Sequence, residues 1–104
     1  PSFAEAPEGD DRTLEIPSDV DLESLETAHT HIPHEPIRAD RNVALPLEHL
    51  RELVRAGRIG GLAPRVFSLN GYRTRADEVA TETAPPIAAA MAADGVTHVL
   101  LIPV

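Results

Sequence analysis

Apolar and polar positions along this chain form short patterned stretches separated by proline and glycine. Residues 13–16 alternate and read as a strand, which Pro17 ends because it has no N–H for a ladder. Ser18 or Asp19 can then cap a single helical turn through Leu22 or Leu25. Residues 25–31 alternate again, and an extended backbone would put Leu25, Thr27, His29 and His31 on one face. Residues 46–56 carry the clearest helical period. Leu47, Leu50 and Val54, with Leu53, make an apolar stripe, Pro46 suits the first helical position, and Gly57 suits the residue just past the end. His49 lies off that stripe and is expected to face solvent.

The glycine pair at 60–61 reads as a tight connection, since the spacing of a phosphate-cradling loop is absent. Residues 66–69 form a second strand candidate, followed by the turn signal Asn70-Gly71. From Thr74, a potential cap, the apolar face Val79, Ala80, Thr83, Ala84, Ile87, Ala88, Met91 keeps its period across Pro85-Pro86. This predicts one kinked helix, or two abutting ones, over 75–93, stopped at Gly95. Residues 96–104 are nearly all apolar, as in a buried parallel strand. The expected fold is therefore α/β: part of a doubly wound, Rossmann-like parallel sheet ending in a C-terminal βαβ unit. Residues 1–12 have no period and read as a mobile acidic arm ahead of a single domain over 13–104.

Composition narrows the function. A chain of 104 residues supports one small core. Its net charge of −8, from 17 acidic and nine basic residues, opposes binding to a phosphate backbone. No apolar run is long enough for a signal peptide or a membrane span, and the cytoplasm is the expected compartment. There is no cysteine, so disulfides, thiolate ligands and a cysteine nucleophile are excluded within these residues. The acids between Asp19 and Glu26 lack the glycine and final glutamate of an EF-hand loop and read as a solvated face.

Chemistry concentrates between residues 29 and 42. His29, His31 and His34 are spaced H-x-H-x-x-H, and Arg38, Asp40, Arg41 and Asn42 follow. Three readings are open. The histidines could be a metal triad, with zinc the natural ion and Asp40 the nearest carboxylate. They could pass a proton to a leaving amine while Arg38 clamps a carboxylate through two parallel hydrogen bonds. Or they could be hydrogen-bonded structurally, with Arg38, Asp40 and Arg41 ion-paired. Tyr72 lies just past the second strand, where a parallel sheet would place a ligand, although packing is its plainer role.

Several motifs occur in one order: Glu15-Ile-Pro-Ser-Asp-Val-Asp-Leu, Ala28-His-Thr-His, Arg38-x-Asp40-Arg-Asn-Val, Pro46-Leu-x-x-Leu-Arg-Glu-Leu, Gly57-x-Ile-Gly, Ala63-Pro-Arg, Asn70-Gly-Tyr and Glu82-Thr-Ala-Pro. Together they resemble the selenoprotein B family of glycine, sarcosine, betaine and D-proline reductases over residues 13–104. That resemblance implies a subunit that binds a small amino acid or N-methylated amine. It implies reductive C–N cleavage together with other chains of a reductase complex. The proton-transfer and clamp reading fits such substrates, and the candidate site residues are His29, His31 and His34 for catalysis, with Arg38, Asp40, Asn42 and Tyr72 for substrate. The family's reactive selenocysteine or cysteine is expected just beyond a strand like 97–104, outside this chain, which then reads as a fragment or processed piece inactive alone. The run also resembles the H-x-H-x-D-H of metallo-hydrolases, but Pro33 stands where the carboxylate would be, which weakens a two-metal site. A non-catalytic scaffold or homo-oligomeric assembly domain is the competing expectation, since an exposed strand edge at 96–104 would seek a partner.

Overall fold

The computed structural model describes residues 12–27, 32–71 and 73–104. Strand β1 (Thr13–Pro17) and strand β2 (Arg65–Leu69) form a two-stranded antiparallel sheet, in which Glu15 faces Phe67 and Pro17 faces Arg65. Ser18 extends the pairing by donating its N–H to the Pro64 carbonyl at 3.0 Å. The connection between the strands carries a 3₁₀ turn (Leu22–Ser24), helix α1 (Glu35–Ala39), a second 3₁₀ turn (Arg41–Val43) and helix α2 (Leu47–Arg55). Helix α3 (Ala76–Glu78), a π-helical turn (Val79–Thr83) and helix α4 (Ala84–Ala93) then run as one rod.

The expectation of a doubly wound parallel sheet with a terminal βαβ unit is overturned. The described residues hold one antiparallel pair, and residues 96–104 are in no strand. A continuous apolar run behaves as a buried strand only when neighbouring strands take its backbone groups and other elements cover both faces. Neither occurs here: Val99, Leu100 and Val104 are exposed, and Leu101 is 85% exposed.

The local elements follow their sequence signals more closely. Asp21, rather than Ser18 or Asp19, caps the first 3₁₀ turn, its carboxylate accepting the Glu23 N–H at 3.1 Å. Pro46 sits at the N-cap of α2, one residue outside the first helical position expected for it. Gly57 and Gly95 both adopt positive φ, +70° and +76°, and end α2 and α4 where the sequence places the stops. The kink at the proline pair is the π-helical turn. In an α-helix the Pro85 ring would strike the carbonyl four residues back. The chain widens instead, so that Ala84 donates to Val79, and both prolines fall in the first turn of α4, where N–H groups have no helical acceptor. Thr74 does not cap this rod, which begins at Ala76 with Arg75 at the N-cap. Residues 25–27 have no regular structure, and 28–31 lie outside the described residues.

The best-buried apolar side chains are Leu22, Ile37 and Leu47, one each from the first 3₁₀ turn, α1 and α2. Arg51 of α2 ties this part to the end of β1. Its guanidinium donates to the carbonyl of Ser18 at 2.8 Å and to that of Val20 at 2.7 Å. On the sheet side, Arg65 of β2 reaches Asp94 at the end of α4 and Glu15 of β1 at once. No helix among the described residues is long and apolar enough to cross a membrane.

Candidate functional site

His29, His31 and Tyr72 lie outside the described residues. The others sit on or beside α1, a helix the sequence pattern did not announce. Pro36 occupies its first turn, where a proline costs nothing, so a segment that looks broken is helical. His34 is the half-buried N-cap of α1, and its carbonyl accepts the Arg38 N–H at 2.9 Å. Arg38 is exposed on the last turn, and its guanidinium has no hydrogen bond or ion pair with a described residue.

Asp40 and Asn42 are tied into the backbone. One Asp40 carboxylate oxygen accepts both the backbone N–H and the side-chain amide of Asn42, each at 2.9 Å. Asn42 in turn accepts the Glu48 N–H at 3.1 Å, satisfying a donor at the start of α2. The Asn42 side-chain amide and then its backbone N–H hold the Asp40 carboxyl below its usual value, with His49 adding a smaller attraction. Arg41 donates to the Ile37 carbonyl at 2.9 Å. Among the described residues, Arg38, Asp40 and Arg41 form no ion pair with one another. The segment is thus a proline-stiffened helix, with Arg38 exposed on its last turn, followed by an Asp–Asn turn. His49 is exposed, as expected, with Nδ1 4.0 Å from Glu52.

Two of the three histidines proposed as a metal triad are not described. Elsewhere among the described residues no three histidine or acidic side chains converge in a way that could hold a metal ion.

Other charged groups, which the sequence reading passed over, assemble across elements. Arg65 binds Asp94 in a fork, Nε to Oδ2 at 2.8 Å and Nη2 to Oδ1 at 3.3 Å, and Glu15 at 2.9 Å, with its guanidinium 5.6 Å from the centre of the Phe67 ring. Asp94 first and Glu15 second raise its already high pKa. Beside this group a cleft of about 290 Å³ opens between the sheet and the α3–α4 rod, lined by Phe67, Arg73, Glu78, Glu82 and Ile87 among others. The four-residue spacing of Glu78 and Glu82 on one helical face was the only hint of it in the sequence.

Residues 12–103 match the family model of glycine/sarcosine/betaine reductase selenoprotein B, and the chain belongs to that family. No curated relative and no solved structure matches.

Proposed function

We propose that this chain is the part of a reductase subunit that receives a small amino acid or N-methylated amine for reductive C–N cleavage. Arg38 carries the proposal. An exposed guanidinium with no side-chain partner among the described residues, held on a short helix, is ready to take a carboxylate with two parallel hydrogen bonds. Family membership supports the substrate class, glycine and its N-methylated forms. In this reading His29, His31 and His34 supply the proton that the departing amine needs. Asp40 and Asn42 set the turn behind Arg38, and Tyr72 borders the substrate. The electrons come from a selenol or thiol outside residues 1–104, which contain no cysteine.

The test is Arg38→Lys in the assembled reductase subunit. Lysine keeps the charge and loses the fork, so KM for the amino acid rises at least about tenfold while kcat changes little. An unchanged KM rejects the clamp.

A second reading, a non-catalytic assembly domain, is favoured by the exposed apolar side chains of Val99, Leu100, Leu101 and Val104, an uncovered patch of the kind that partner chains bury. Replacing Leu100 and Leu101 with serine would then release the chain from its complex and leave Arg38-dependent binding intact.

A further inference from the structure

We infer that the cleft between the sheet and the α3–α4 rod is a second binding site, for a small zwitterion whose carboxylate meets Arg73 and whose ammonium meets Glu82. The inference borrows only its choice of probe from the proposed function and shares no residue with residues 29–42.

Some of the charges in the cleft are already answered within the protein. Glu15 is paired with Arg65 at 2.9 Å, and Glu78 with Arg75 at 2.8 Å. Arg73 is half-buried and has no hydrogen bond or ion pair with a described residue. Glu82 has no side-chain partner among the described residues either. One cation and one anion are thus left open on the walls of a single cavity. A ligand carrying both signs satisfies both, whereas an ion of either sign answers one and repels the other.

Apolar contact comes from the Phe67 ring on the sheet side and from Ile87 on the rod side, with Thr13 and Thr83 beside them. Fixed polar groups set beside apolar walls are what orient a small ligand. The volume, about 290 Å³, has room for roughly ten water-sized groups, which suits a molecule of amino-acid size. The π-helical turn contributes Glu82 and Thr83 to the lining, and interruptions of this kind recur where a helix presents functional groups.

Nuclear magnetic resonance of the 104-residue chain tests this, with glycine and its N-trimethyl form as separate probes. Expected are saturable shifts of the Arg73 side-chain Nε–H and of the backbone amides of Glu82 and Thr83. Arg73→Gln and Glu82→Gln should each weaken that response at least about tenfold, and Arg73→Lys less. Spectral dispersion checks that each variant is folded. Arg38→Lys leaves these resonances and their titration unchanged, so a failed carboxylate clamp and an empty cleft give different spectra. The inference is overturned if the cleft resonances stay fixed up to roughly ten millimolar of both probes, or if both Gln variants titrate like the parent.

Discussion

Arg65 and Asp94 stand 29 positions apart and meet in a forked pair at 2.8 and 3.3 Å, so the end of α4 is tied to the first residue of β2. The same guanidinium reaches Glu15 on β1, which makes it the joint between both strands and the rod. Arg65→Lys keeps the charge but cannot serve both carboxylates in this planar arrangement. Its melting temperature should fall by roughly 2–5 °C, while Arg75→Lys at the exposed start of the rod leaves it within about a degree. Equal melting temperatures for the two variants would remove Arg65 from this role.

Leu47 is 0% exposed, whereas Leu53 of the same helix is 38% exposed. Leu47→Ala should cost about 2–5 kcal/mol and Leu53→Ala less than about 1 kcal/mol, as read from urea unfolding. A Leu53→Ala cost equal to that of Leu47→Ala would mean that the apolar stripe on α2 faces the other way.

Asp40 and Glu48 both have carboxyls held below their usual values, Asp40 by Asn42 and Glu48 by Arg55 and then Arg51. A lowered native pKa means that the unfolded chain takes up protons first as the solution is acidified. The stability these groups contribute is therefore full above the ordinary carboxylate range, near pH 4, and is lost as pH falls through the lowered values. The double variant Asp40→Asn, Glu48→Gln should lose less stability than the parent between about pH 5 and 3, as measured by thermal melting. A parallel pH dependence in the two proteins would show that neither carboxyl is favoured by folding.

Much of this local structure was legible in the sequence, and the topology was not. The ends of α2 and of the rod follow from Gly57 and Gly95, where positive φ is easiest for glycine. Strand β1 follows from alternation cut off by Pro17, and the kink follows from Pro85-Pro86. Pairing is a tertiary fact. Thr13 lies opposite Leu69 across a long connection with no hairpin signal, so nothing local distinguishes antiparallel from parallel partners. The apolar run after Gly95 mimicked a buried strand because hydrophobicity alone does not report whether a cover is present. Helix α1 was missed because its five residues, Pro36 among them, are too few to show a helical period. The cleft was missed because Phe67, Arg73 and Glu82 come from separate elements. Of the candidate site, Arg38 was read for its charge, but the role of Asp40 and Asn42 in forming a turn becomes visible only once Asn42 is seen to hold the first turn of α2.

The central claim is that Arg38 receives the carboxylate of a small amine substrate. Its most direct test is the Arg38 side-chain Nε–H resonance during titration with glycine and its N-methylated forms, in an Arg73→Gln background that silences the cleft. The account predicts a saturable shift of that resonance, abolished when the ligand carboxylate is replaced by a neutral amide. A resonance that stays fixed up to roughly ten millimolar ligand would contradict it.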